Sequence, residues 1–140
     1  MIYIFSAFYA EAKNIIDHYS LKKEKSPEMV RFDVFANESI RLVITGVGEI
    51  NAAAAVSNIG GAYGISPDDE ILNVGCGAGF SSDICMGSIF LGNKLTEQMT
   101  GRTFYPDMLM NANFRECEIV TVARVLNEGC DSVVYDMEAA

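Results

Sequence analysis

The residues best placed to do chemistry in this 140-residue chain gather at a glycine turn, Ile71-Leu72-Asn73-Val74-Gly75-Cys76-Gly77-Ala78-Gly79-Phe80. Four residues suited to a buried strand run into three glycines at alternate positions. With no Cβ in the way, such a backbone turns sharply and comes close to a ligand. Open α/β sheets usually place their site where a strand ends in this manner. A second turn of the same kind, Gly46-Val47-Gly48, joins an apolar run to an alanine-rich segment. Turns of similar spelling hold adenosyl groups, dinucleotides and nucleosides, so the surrounding elements decide which ligand is served.

Those elements alternate between strand and helix. Ile2 to Phe5 reads as a buried strand, and Tyr9 to Tyr19 as a helix with Ala12, Ile15, Ile16 and Tyr19 at helical spacing. Lys22 to Pro27 reads as a polar turn, and Val30 to Ala36 and Ile40 to Thr45 as strands joined at Asn37-Glu38-Ser39. Asn51 to Asn58 reads as a helix stopped by Gly60 and Gly61. Pro67-Asp68-Asp69 turns the chain into the central strand at Ile71, and Ser88 to Leu91 is a short strand after the glycines. Lys94 to Asn113 is the least regular stretch, and a loop that long usually carries function or covers a site. Glu118 to Val122 is a strand that Ala123 to Glu128 either continues or follows as a helix. Ser132 to Tyr135 is a last strand opening into Asp136-Met137-Glu138-Ala139-Ala140, whose two acids suit a first helical turn. With no room left for that helix, the chain is expected to be a fragment or a truncated product.

Composition narrows the classes. A chain of 140 residues fits one domain, with no second domain needed to bury a core. Half the residues are hydrophobic and 21% are charged, a globular balance. A net charge of −9 argues against a nucleic-acid surface, which needs Lys and Arg clustered on one face. Lys22, Lys23 and Lys25, interrupted by Glu24, fit a solvated turn better. Cys76, Cys85, Cys117 and Cys130 form no C-x-x-C pair and His18 is the only histidine, so no metal site is expected. The apolar start is brief and lacks a basic lead, and no apolar run approaches the roughly 20 residues that cross a bilayer. The expectation is a cytoplasmic protein with reduced thiols and no membrane partner.

Two readings of the turns fit poorly. An S-adenosylmethionine-dependent methyltransferase opens with a motif resembling Asn73 to Gly79, then needs a helix and a strand ending in an acid for the ribose hydroxyls. Here only Phe80 to Gly87 intervenes, and the next strand ends Leu91-Gly92-Asn93. A dinucleotide site at Gly46-Val47-Gly48-Glu49-Ile50-Asn51 has Asn51 in place of its third glycine. Its acids, Asp68 to Glu70, precede the next strand instead of ending it.

A third reading accounts for four segments in order. Ser6-Ala7-Phe8-Tyr9-Ala10-Glu11, Thr45-Gly46-Val47-Gly48-Glu49-Ile50-Asn51-Ala52-Ala53, Asn73 to Phe80 followed by Met86-Gly87-Ser88-Ile89, and Val133-Val134-Tyr135-Asp136-Met137-Glu138-Ala139-Ala140 together span most of the chain. The set resembles the nucleoside phosphorylase and methylthioadenosine/S-adenosylhomocysteine nucleosidase superfamily, over roughly the first two-thirds of a typical member. The resemblance implies a single three-layer α/β/α domain with a central mixed sheet, phosphorylase/hydrolase-like, lacking its C-terminal part. It also implies cleavage of the N-glycosidic bond of a purine-type nucleoside, with no cofactor and a homo-oligomeric state.

Residue roles follow from the same resemblance. The chemistry needs a sugar able to carry positive charge, a nucleophile beneath it and a proton for the leaving base. Glu138 matches the glutamate that takes the ribose hydroxyls, where a carboxylate also suits the developing charge. Met137 matches the residue packed on the ribose face. Glu11 matches the water-activating glutamate of the nucleosidases, a role governed by how its surroundings hold the carboxyl. Gly46 and Gly48 match the nucleophile or anion loop, and Cys76 and Gly77 the turn that contacts nucleophile and base. Val120 to Leu126, with Val122 and Val125, match the strand lining the base pocket.

Departures from the family pattern are specific. The family's proton donor is an aspartate beyond the Met-Glu pair, outside these residues. N-glycosidase or glycosyltransferase activity is therefore expected of a longer form. Cys76 replaces a serine, a weaker donor, and Val125 replaces an aromatic ring that stacks on the base. The segment from Lys94 to Glu118 is short, leaving Arg102, Phe104 and Tyr105 as a candidate lid. A phosphorylase needs arginines near the first turn and before the central glycines, where this chain has none. Hydrolysis is favoured unless Arg41 or Arg102 enters the pocket.

Plainer readings stand beside each role. Glu11 suits a solvated helix start, Glu138 the positive end of a helix dipole, Cys76 a small buried hydrophobe, and Asp136 a structural contact. Met108 and Met110 suit packing or a lid, and Arg102 with Asp107 a loop ion pair. A non-catalytic nucleoside-binding relative is the alternative of another class.

Overall fold

The computed structural model describes residues 1–108 and 113–140; Met110, read above as a packing or lid residue, lies outside the described residues. The chain divides into two compact units, Met1–Cys76 and Gly77–Ala140. Its class is α/β, with the mixed strands divided between two five-stranded sheets, one in each unit. Among the described residues no helix is long and apolar enough to cross a membrane.

The first unit is built on β1 (Ile2–Ser6), whose near-continuous apolar run is buried on both faces. It lies between β4 (Ile40–Ile44) and β5 (Glu70–Asn73), parallel to both. Beyond β4 come β3 (Asp33–Ala36) and β2 (Lys22–Lys23), each antiparallel to its neighbour. Alternate residues of the sheet face opposite ways. Tyr3, Phe5, Val34 and Val43 pack with Ala55 and Ile59 of α2 (Glu49–Tyr63). Ile4, Ile40 and Leu42 pack with Ala12 and Ile16 of α1 (Tyr9–His18). Three layers therefore enclose β1, and each fully buried aliphatic side chain contributes about 1.5–3 kcal/mol.

Several sequence expectations need correction here. Gly60 and Gly61 do not stop α2, which runs to Tyr63 and ends at Gly64 with φ of 71° and its N–H on the Gly60 carbonyl at 2.9 Å. Packing of the fully buried Ile59 outweighs the roughly 1 kcal/mol that an interior glycine costs. Lys22 and Lys23, expected in a turn, form the edge strand β2, where Lys23 pairs with Asp33 at 2.7 Å. The strand expected to be central and buried, β5, is an edge strand of its sheet with Ile71 47% exposed, because it pairs with β1 alone.

The second unit is a sheet in the order β6-β10-β9-β7-β8. Its strands are β6 (Ala78–Gly79), β7 (Phe90–Glu97), β8 (Thr103–Phe104), β9 (Arg115–Thr121) and β10 (Val133–Asp136). No helix follows the glycine turn, and the strand expected at Ser88 begins at Phe90. Of the expected irregular stretch from Lys94, the start (to Glu97, in β7) and Thr103–Phe104 (β8) are strand instead. Polar residues of β7 bond across to β9: Asn93 to Glu116 at 2.8 Å, Thr96 to Glu118 at 2.7 Å and Lys94 to Glu118 at 2.9 Å. Neither strand nor helix forms over 123–128, and Met137 to Ala140 form a bend in place of the expected helix.

At the N-terminus the Met1 ammonium donates to Asp69 at 2.8 Å, and Asp69 also accepts the Ser66 N–H at 2.8 Å. The hydrogen bond from the ammonium is the main reason the Asp69 carboxyl lies at about 2, below its ordinary 3.8. A carboxyl depressed in the folded state stabilises above its unfolded pKa, and this contribution disappears as pH falls through the folded value. Urea midpoints of the wild type should therefore decline between about pH 4 and about pH 2, a component that Asp69→Asn removes and added salt diminishes.

Candidate functional site

In the first unit the candidate residues meet at the carboxyl end of the parallel strands β1, β4 and β5. Glu11 is the third residue of α1, after the N-cap Phe8. From that position a glutamate reaches back over the first turn, and Oε2 accepts the Phe8 N–H at 3.2 Å. The same oxygen accepts the Ser6 hydroxyl at 3.2 Å, while Oε1 accepts the Cys76 N–H at 3.0 Å. One carboxylate thus joins the end of β1, the start of α1 and the turn after β5. A Cβ on Gly75 would lie 3.8 Å from both of its oxygens, an ordinary contact, so the turn meets the acid without requiring glycine at this position.

Cys76 also faces Glu11. It is exposed and not the small buried hydrophobe expected; partial desolvation against the acid, then the charge of Glu11 and a hydrogen bond to it, push the Cys76 thiol above its usual range, so it stays protonated at neutral pH. A thiol held in this form is a weak donor and a poor nucleophile.

The turn after β4 is fixed by glycine. Gly46 and Gly48 have φ of 83° and 97°, a region that side chains beyond glycine enter only with strain. Thr45 anchors the entry, its N–H on the Ser6 carbonyl at 2.9 Å and its hydroxyl on the Gly46 carbonyl at 2.8 Å. Asn51, which stands where a dinucleotide fingerprint has glycine, donates to the Val47 carbonyl at 2.7 Å. Arg41 is engaged at the other end of β4, opposite Tyr3. Its guanidinium pairs with Glu24 at 3.1 Å, donates to the Tyr3 hydroxyl at 3.3 Å and lies 3.8 Å from the Tyr63 ring centroid.

In the second unit Gly77 lies against β10. A Cβ there would stand 2.5 Å from Val134 Cγ1 and 3.0 Å from the Tyr135 carbonyl oxygen. Val122 is buried and its N–H donates to the Asp136 carbonyl at 2.9 Å. Val125 is 81% exposed, and Arg124 to Glu128 line an open depression. Met137 packs on the cluster of Val122, Val133 and Tyr135, and the Met137 N–H donates to the Glu138 carboxylate at 3.3 Å. Phe104 belongs to β8, the Arg102 guanidinium lies 5.3 Å from its ring centroid, and Tyr105 beyond it is exposed.

Sequence reasoning passed over two contacts. Asp136 accepts the Thr121 hydroxyl at 2.6 Å and the N–H groups of Glu138 and Ala139 at 3.3 and 2.7 Å, the bonds a helix cap would make. Its structural reading is the one these bonds favour. Ser6 is the other: a serine ending the run Ile-Tyr-Ile-Phe was the available signal, because a buried hydroxyl must find a partner.

No protein-family model matches the chain, and no curated protein matches it. Solved structures do. The 5'-methylthioadenosine/S-adenosylhomocysteine nucleosidase of Neisseria meningitidis, in complex with methylthio-immucillin-A, is similar at a TM-score of 0.79 and 16% identity, over 99% of this chain and 75% of that one. A futalosine hydrolase mutant of Helicobacter pylori is similar at 0.79 and 11% identity, over 98% and 78%. The 5'-methylthioadenosine/S-adenosylhomocysteine nucleosidase of Colwellia psychrerythraea, in complex with adenine, is similar at 0.77 and 16% identity, over 98% and 72%. The chain has the nucleoside phosphorylase/nucleosidase fold of these proteins.

The contact of Gly77 with the Tyr135 carbonyl is to backbone, which cannot swing aside. Gly77→Ala should therefore lower the stability of the protein by about 1–3 kcal/mol. Urea unfolding of this variant would check it against Gly87→Ser, a change where nothing lies within 4 Å but φ is 86°; the latter should cost only the backbone strain of about 1–2 kcal/mol.

Proposed function

We propose that this protein hydrolyses the N-glycosidic bond of a purine-type nucleoside, with water as the nucleophile. The observation that supports this most is the Glu11 carboxylate, held by Ser6, Phe8 and Cys76 at the end of a sheet where such folds place ligands. Among the described residues Oε2 accepts two hydrogen bonds and Oε1 accepts the Cys76 N–H, while the Cys76 thiol is a further, weak donor to the carboxylate whose place a water can take. In this reading the water oxygen bonds to the anomeric carbon and its proton passes to Glu11. The glycosidic electron pair leaves with the base, which takes up a proton from solvent. Glu138 takes the ribose hydroxyls and Met137 the ribose face, with Cys76, Gly77, Val122 and Val125 toward nucleophile and base.

Water is favoured over phosphate because of charge. Glu11 repels a dianion, and Arg41 is committed to Glu24 and two tyrosines at the far end of β4. Likeness of fold to two nucleosidases and a hydrolase supports the same choice. The reading extends to a cytoplasmic homo-oligomer, with Arg102, Phe104 and Tyr105 as a lid.

Incubation with inosine, adenosine and methylthioadenosine, with and without phosphate, should release free base at rates independent of phosphate. Glu11→Gln should lower kcat about 10²–10⁴-fold, the range of a lost general base. Strict dependence on phosphate would replace this reading with a phosphorylase, and binding without turnover would replace it with a nucleoside-binding protein.

A further inference from the structure

We propose that Ser6 is the positioning residue for Glu11, holding the carboxylate so that Oε1 and not Oε2 takes the proton from water; this rests on the nucleosidase reading above. The starting point is an anomaly in β1. Its other residues are Ile2, Tyr3, Ile4 and Phe5, and Ser6 ends the run only 1% exposed. A hydroxyl removed from water needs a partner. Ser6 finds it in Glu11 Oε2 at 3.2 Å, although a backbone carbonyl would have sufficed.

The consequence lies in the asymmetry of the carboxylate. An ionised carboxylate offers about four lone-pair positions. Oε2 is occupied by two donors, the Ser6 O–H from the end of β1 and the Phe8 N–H from the helix start, each at 3.2 Å. Oε1 has the Cys76 N–H at 3.0 Å. Two donors on one oxygen fix the plane of the group about its terminal bond, a torsion that is otherwise soft. Without Ser6 that oxygen keeps a single donor from its own helix turn, and the carboxylate can rotate away from the turn at Cys76. The Cys76 thiol also bonds the carboxylate, but it is a weaker donor and belongs to the turn after β5, so it cannot tie the acid to the end of β1. Lys13, two residues along α1, is committed to Asp17 and does not compete.

Ser6→Ala tests the assignment, since alanine removes the hydroxyl together with its need for a partner and keeps an apolar strand end. Two measurements are made on the full chain: kcat and KM for base release, and amide hydrogen exchange at Cys76 with Val43 as the core reference. In Ser6→Ala, Cys76 exchange should rise about tenfold with Val43 unchanged. Loss of orientation should lower kcat roughly ten- to a hundredfold with KM within about twofold. Ser6→Thr, which keeps the hydroxyl, should restore both. Unchanged Cys76 exchange in Ser6→Ala, or raised exchange with kcat intact, would overturn the proposal, as would a folded Ser6→Thr that behaves like alanine. If the wild type releases no base while Ser6→Ala still raises Cys76 exchange, the hold on Glu11 stands and the nucleosidase reading falls alone.

Discussion

In the first unit everything is arranged about β1, which has a strand on each edge and a helix on each face. A strand so enclosed satisfies its backbone through its neighbours and its side chains through apolar packing. The buried Ser6 hydroxyl stands where the strand ends, and that is where the candidate residues collect. Ser6, the last residue of β1, lies beside the turn after β4 through Thr45 and beside the start of α1 through Glu11. The carboxylate then reaches the turn after β5 through Cys76. The parallel register of three strands brings their three following turns together; one acid fastens those after β1 and β5, and the Thr45 N–H on the Ser6 carbonyl holds the one after β4.

This fastening bears on the balance between structure and function at Glu11. The bond to the Phe8 N–H is the ordinary return of a glutamate onto its helix start, and alone it would mark a structural residue. The bonds to Ser6 and Cys76 are not helix bonds. They fix the group in relation to two other segments, which is what a positioned base requires and a surface cap does not. A hydrogen bond to a charged group contributes about 1.5–3 kcal/mol, so the same contacts hold the turns in place. The second unit uses an acid similarly, with Asp136 joining β9 to the bend at Glu138 through Thr121.

Legibility in the sequence followed hydrophobic pattern. β1, α1, β4 and β10 have apolar residues at the right period and were readable within a residue or two. The glycines at 46 and 48 were readable as a turn because only glycine takes their φ values. β7 was not, because Asn93, Lys94, Thr96 and Glu97 look like loop and become strand through backbone pairing with β9, which bonds from Asn93, Lys94 and Thr96 to Glu116 and Glu118 some twenty residues away reinforce. The end of α2 was misread because local propensity stops at Gly60 while the burial of Ile59 carries the helix onward. For the candidate site, Glu11 could be picked out by its place after β1, yet its partners could not. Cys76 donates from sixty-five residues away through its backbone, which leaves no trace in residue type.

The central claim is that Glu11 Oε1 faces an attacking water. A crystal structure of the protein with a non-hydrolysable purine nucleoside analogue bound tests it most directly. The account predicts an ordered water within hydrogen-bond distance of Oε1 and in line with the anomeric carbon, with Oε2 still on Ser6. A sugar bound away from Glu11, or a water held on Oε2 with Ser6 displaced, would contradict it.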